Sequence, residues 1–273
     1  MKRVNIPFTN IFGKSFKKEK NILFLQNNIK NIMKKIFLGI AIFLSLNVRA
    51  QDEGKSNFTL NADFVSSYVW RGLFLSGTSI QPEMALTVGN FTLGAWGSVD
   101  VGGWNYKEVD LFASYSIGNF TAGLFNYWAD SELMNDYFDL SKTTRHQLEL
   151  NLLYTFENTP LTLGWNTIIA GDDKYFNDKF EEKRAFSTYI EASYAFSVKD
   201  VKLDAAIGAS PWKSDVMYTF KWNGGTDKFA VVNLSLTASK EIKITDRYSL
   251  GLFGQFAINP AKEDAFFVFG IKF

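Results

Sequence analysis

The feature of this chain that most restricts its fold is an alternation of apolar and polar residues with a period of two, sustained over segment after segment. Between Asn57 and Arg71, the residues Phe58, Leu60, Ala62, Phe64, Tyr68 and Trp70 share one parity, while Thr59, Asn61, Asp63, Ser67 and Arg71 take the other. Between Arg145 and Phe156, the residues Leu148, Leu150, Leu152, Tyr154 and Phe156 oppose Gln147, Glu149, Asn151 and Thr155. Successive side chains of a strand point to opposite faces, so each segment reads as a strand with one apolar and one polar face. The pattern predicts about twelve strands, near 57–71, 78–89, 91–102, 106–117, 120–130, 145–156, 161–171, 184–196, 201–211, 227–240, 247–257 and 264–273.

The connections alternate in length. Gly89-Asn90, Gly118-Asn119, 157–160, 197–200 and 241–246 are tight and turn-rich, while 72–77, 103–105, 131–144, 172–183, 211–226 and 258–263 are mostly longer. Short turns at one end and longer loops at the other are the plan of an outer-membrane barrel. A weak repeat supports it: VGNFTLGAW at 88–96 returns as IGNFTAGLF at 117–125, each crossing a Gly-Asn turn. Stretch 216–222 reads as half a hairpin too short to cross a bilayer, a strand prolonged above the membrane.

A water-soluble sandwich alternates too, but its apolar faces pack on each other. Aromatic placement favours lipid. Phe91, Tyr115, Phe120, Tyr154, Phe156, Tyr194, Phe196, Tyr248 and Phe273 fall at the short-turn end of the apolar parity, as an interfacial girdle requires. Tyr68, Trp70, Trp128 and Phe186 fall at the other end. The expected fold class is all-β, a membrane-spanning antiparallel up-and-down β-barrel of about twelve strands, a single domain over 51–273.

The address precedes the barrel. Residues 33–50 read MKKIFLGIAIFLSLNVRA, with a basic start, an apolar run too short to span a bilayer and a small-residue cleavage site, the pattern of a signal peptide. Residues 1–32 are then an upstream extension or a mis-called start. Of 29 Lys/Arg and 28 Asp/Glu, residues 1–50 hold ten and one, leaving 19 against 27 and a net charge of −8 on the remainder. An acidic exported chain argues against nucleic acid as a partner. The expected location is the cell outer membrane.

The segment SSYVWRGLFLSGTSIQ at 66–81 resembles the first-hairpin motif of the TorF-like porin family, matching at Ser66, Tyr68, Val69, Arg71, Gly72, Ser76 and Gln81, with the family's proline displaced to Pro82. The resemblance covers about sixteen residues and implies an outer-membrane barrel with a transport function, but no particular substrate. The terminal strand ends Phe269, Ile271, Phe273 on the apolar parity, similar to the C-terminal signal by which the barrel assembly machinery takes up its clients.

On the polar parity, Asp63, Glu83, Asp100, Asp110, Glu149, Glu191 and Asp204 outnumber Arg71, Lys202 and Lys272. Carboxylates around a pore favour cations, so the sequence predicts passive diffusion of small hydrophilic solutes or ions with a weak cation preference. The alternative is a barrel plugged by pairing of these charges, with extracellular loops that dock a partner; twelve strands leave a narrow interior. Arg71, at the extracellular end of the first strand, would either grip an anionic group or tie a loop to a carboxylate. Outer-membrane lipid and lipopolysaccharide are expected around the barrel.

Enzyme chemistry has little support. There is no cysteine, and His146 is the only histidine. It lacks the serine two residues on that outer-membrane phospholipases carry, so it reads as a surface histidine, leaving hydrolysis a remote alternative that would draw on Asp130. The acidic loop GDDKYFNDKFEEK at 171–183 lacks the spacing of a calcium loop. No cofactor and no metal is expected.

Overall fold

The computed structural model describes residues 56–130, 136–141, 144–177, 179–212 and 229–273. The expected signal peptide, the 1–32 extension and the prolonged strand at 216–222 lie outside these residues. Twelve long strands follow one another: β1 (Ser56–Val65), β2 (Ser79–Val88), β3 (Phe91–Asp100), β4 (Lys107–Ile117), β5 (Phe120–Tyr127), β6 (Gln147–Thr155), β7 (Leu161–Gly171), β8 (Thr188–Val198), β9 (Val201–Ser210), β10 (Ala230–Thr245), β11 (Tyr248–Asn259) and β12 (Asp264–Lys272). Each pairs antiparallel with its chain neighbours, and β12 pairs back on β1, so the sheet is a closed barrel. Closure satisfies the backbone groups that an open edge would expose to lipid.

The seam between β1 and β12 is short. Only Asp63↔Lys272, Phe64↔Ile271 and Val65↔Gly270 are in register there, whereas β1 and β2 align ten pairs. Backbone bonds from Ser66 N–H to the Phe269 carbonyl and from Phe273 N–H to the Ala62 carbonyl extend it at either end. The Ser66 hydroxyl accepts one more hydrogen bond, from Phe269 N–H at 2.9 Å.

Parity decides what each wall faces. Phe58, Leu60, Ile80, Met84, Leu111, Leu124, Phe256, Phe267 and Phe269 all stand exposed on the outside of the barrel. Burying one such side chain yields about 1.5–3 kcal/mol, so a continuous outward band of them is stable only against an apolar solvent. Tyr115, Phe120, Tyr154, Phe156, Tyr194, Phe196, Tyr248 and Phe273 form an exposed aromatic ring at the short-turn end. The barrel spans a membrane.

At the long-loop end two expectations are corrected. The first strand does not run to Arg71; it stops at Val65, and a small hairpin of Tyr68–Trp70 and Leu73–Ser76 folds inward. Tyr68 and Trp70 therefore face the interior, where Tyr68 meets Trp96 and Trp70 meets Tyr127. Trp128 is also buried, against Tyr137. Of the four residues expected to ring the extracellular end, only Phe186 is exposed.

The in-folded hairpin carries the barrel's apolar core. Leu73, Tyr189 and Val232 form a buried cluster with Trp70, Leu75, Ala230 and Ala261 around it. In a protein whose outer surface meets lipid, the interior is the place where apolar hairpin residues escape water.

Candidate functional site

The site is the barrel interior, divided by this hairpin. Gly72, at its tip, has φ +76°, and a Cβ there would lie 2.1 Å from the Val232 carbonyl oxygen, so only glycine brings the tip against the far wall. The Asn259 amide then donates to the Gly72 carbonyl at 3.0 Å. At the base of the hairpin, the Ser76 and Ser79 hydroxyls bond each other at 2.9 Å, and Thr78 donates to the Ser66 carbonyl. The family-like motif is thus distributed over one device: Ser66 completes the seam, Gly72 and Ser76 seat the hairpin, and Gln81 donates to Ser98 across β2 and β3.

Arg71 sits beside Gly72 with φ +51°, a conformation few residues other than glycine adopt. Its guanidinium makes two parallel bonds to Glu149, Nη1 to Oε1 at 2.7 Å and Nη2 to Oε2 at 3.0 Å. Trp70 and Tyr189 rings cover it, at 4.4 and 4.7 Å from the guanidinium carbon. Tyr127 donates its hydroxyl to Glu149 at 2.8 Å, and the Glu149 carboxylate is wholly buried. With two aromatic rings over it and both terminal nitrogens on the Glu149 carboxylate, this arginine ties a loop to the wall.

On the β1 to β4 wall, carboxylates gather. Asp63, Glu83, Glu108 and Asp110 all have lumen parity. Tyr106 donates to Glu108 at 2.8 Å. Burial, together with the adjacent Glu108 carboxylate, holds the Tyr106 phenol well above its ordinary value, so it stays a donor. Lys272 lies 3.7 Å from Asp63 and over the Phe253 ring. Asp100, at the extracellular rim, spends Oδ2 on the backbone N–H groups of Gly103 and Trp104.

Toward the periplasmic end the opposite wall opens. Lys202 and Asp204 are exposed and line a cavity of about 340 Å³ with Ala195, Ser197, Thr237 and Ser239. Glu191, one step higher, accepts a hydrogen bond from the Tyr189 hydroxyl. Aromatic rings on the lumen side lie flat against wall glycines: Phe112 over Gly94, Tyr189 over Gly208 and Phe253 over Gly270. A Cβ at any of these glycines would collide with its ring at 2.0–2.2 Å, so small residues make room for large ones.

His146 is corrected. It is 8% exposed, with Nδ1 2.9 Å from the Asn126 amide and Nε2 2.6 Å from the Tyr137 carbonyl. Both nitrogens are engaged in fixing a loop, which leaves neither for general-base work. Asp130, its supposed companion, pairs with Lys107 and Arg145. In the 171–183 loop, Asp173 is buried and accepts from the Ser187 hydroxyl and backbone N–H.

Sequence reasoning missed three features of the interior. Glu108 shares the parity of Asp110, two residues away, and that signal was sufficient to find it. Trp96 faces inward between two carboxylates by the same alternation. The hairpin had a weaker signal, the Arg71-Gly72 step.

No protein-family model matches the chain, and no curated protein does. Among solved structures, it is similar to an outer membrane channel from Pseudomonas putida F1, at 14% identity and a TM-score of 0.41, over 82% of this chain and 95% of that one. It is also similar to a porin, at 14% identity and a TM-score of 0.33, over 74% of this chain and 65% of that one.

Proposed function

We propose that the chain is an outer-membrane channel through which small hydrophilic solutes or ions diffuse passively, with a weak preference for cations. The observation that supports this reading is the excess of acids over bases on the lumen parity, together with an interior below the hairpin where Glu83 is half-buried and Lys202 and Asp204 are exposed. Arg71 is matched by Glu149 and Lys272 lies near Asp63, and on the lumen parity Glu83, Glu108, Asp110, Glu191 and Asp204 remain, with Lys202 beside the last of them on the open wall. Rings of carboxylate lower the cost of bringing a cation into a narrow pore.

A second reading has its own support. The hairpin crosses the extracellular mouth and packs on the far wall, as a plug would, which fits a barrel that serves as a docking platform. Reconstitution in a planar bilayer under a salt gradient separates the two. The channel reading predicts stepwise conductance and a reversal potential of cation-selective sign. Silence favours the plug, and an anion-selective sign rejects the charge argument.

A further inference from the structure

We propose that Trp96, with Asn61, Gln81 and Glu83 beside it, forms a lumen subsite for a single pyranose ring, which names a solute class and rests on the channel reading above. Register assembles the seat: Asn61 on β1 stands opposite Glu83 on β2, and Glu83 stands opposite Trp96 on β3, all with lumen parity. These three, with Asp63, Gln81 and Lys272, line a cavity of about 290 Å³. That volume is at the lower edge of the roughly 300–1,000 Å³ of small-molecule sites, enough for one ring but not for a chain.

The cavity joins an aromatic surface to unspent polar groups. Tyr68 packs on Trp96 from the hairpin side, at 5.4 Å between ring centroids, yet the indole is only half-buried and shares its remaining surface with the cavity. At the next lumen position of β3, Gly94 makes room for the Phe112 ring, and Phe125 lies nearly parallel to that ring at 5.2 Å. The aromatic surface therefore continues from Trp96 toward the periplasmic end. Among the described residues, the side chains of Asn61 and Glu83 have no hydrogen-bond or ion-pair partner in the protein. Gln81 donates one N–H to Ser98 and keeps its carbonyl oxygen.

The donor set selects the ligand. No described group of three acidic or histidine residues could hold a metal ion. An anion would meet the carboxylates of Asp63 and Glu83, and a zwitterion would have to part Lys272 from Asp63, 3.7 Å away. A neutral polyol meets neither obstacle. Each of its hydroxyls donates and accepts, which the amides of Asn61 and Gln81 and the carboxylate of Glu83 complement. A pyranose adds what an open-chain polyol lacks, a flat face of C–H groups that packs on the electron-rich face of an indole.

Saturation-transfer difference NMR on the full folded barrel, in a detergent without a sugar headgroup, tests the subsite. The probe is methyl β-D-glucopyranoside, compared with mannitol as an open-chain polyol and with glycine as a zwitterion. Saturable transfer to the glucoside ring protons is expected, at least fivefold above either comparison compound, with a Kd raised at least fivefold by Trp96→Ala and by Glu83→Ala. Glu83 is half-buried on the open wall, so Glu83→Ala remains informative if Trp96→Ala fails the heat-modifiability test of folding on a gel. Transfer that does not saturate, transfer to mannitol or glycine equal to that of the glucoside, or an unchanged Kd in either folded variant overturns the proposal. A barrel that conducts salt but shows no saturable glucoside transfer rejects the subsite and leaves the channel; one that binds the glucoside without conducting rejects the channel and leaves the subsite.

Discussion

On the extracellular side of the interior, Ser98, Glu149, Tyr189 and Val232 are at most 1% exposed, whereas on the periplasmic side Ala195, Lys202 and Asp204 stand open. One wall of alternating strands thus serves two purposes. Above, the inward face packs on the hairpin like a protein core, with Arg71 on Glu149 and Tyr189 against Leu73 and Val232. Below, the same parity leaves Ala195, Lys202 and Asp204 exposed around a cavity. The difference teaches that a lumen face is defined by what folds against it, and that substitutions at the two levels should act on different properties: stability above, conduction below.

The largest effect is expected from Arg71→Ala, which leaves Glu149 buried without its counter-charge. Removing one partner of a buried pair costs about 3–5 kcal/mol, to be read by denaturant titration of the barrel in detergent. Arg71→Lys should recover only part of this, because one ammonium cannot fill both carboxylate oxygens. Next comes Gly72→Val, whose side chain would meet the Val232 carbonyl. If the hairpin stayed in place, overpacking would cost about 1–3 kcal/mol; its release from the wall instead should raise unitary conductance at least twofold. An unchanged conductance with unchanged stability would break the distinction between the two levels.

Below the hairpin the expected pattern reverses. Asp204→Asn should alter stability by less than about 0.5 kcal/mol, as a substitution at an exposed site does. It should nevertheless reduce cation preference, seen as a reversal potential closer to zero. A large loss of stability there would mean that the lower lumen is packed after all.

Much of this was legible in the sequence because lipid enforces a strict rule. Every spanning strand must alternate and pair, so the predicted strands at 161–171 and 264–273 coincide closely with Leu161–Gly171 and Asp264–Lys272. Alternation cannot distinguish a side chain buried by lipid from one buried by a loop. For that reason Tyr68 and Trp70, whose parity continues from Phe58 to Phe64, read as an outer belt although they lie inside. His146 read as exposed for the same reason, since nothing in its neighbours reveals that Asn126 and the Tyr137 carbonyl enclose it. The partnership of Arg71 with Glu149 spans 78 residues and depends on a turn with positive φ, which residue spacing does not encode.

The division of the interior is tested most directly by thiol accessibility, which this chain permits because it contains no cysteine. Single cysteines at Ala195 and at Ser98 would be treated with a small charged thiol reagent applied to the folded barrel in detergent. The account predicts that Ala195→Cys reacts at least a hundredfold faster than Ser98→Cys, and that adding Gly72→Val removes most of the difference. Equal rates at the two positions in the otherwise unmodified barrel would contradict it.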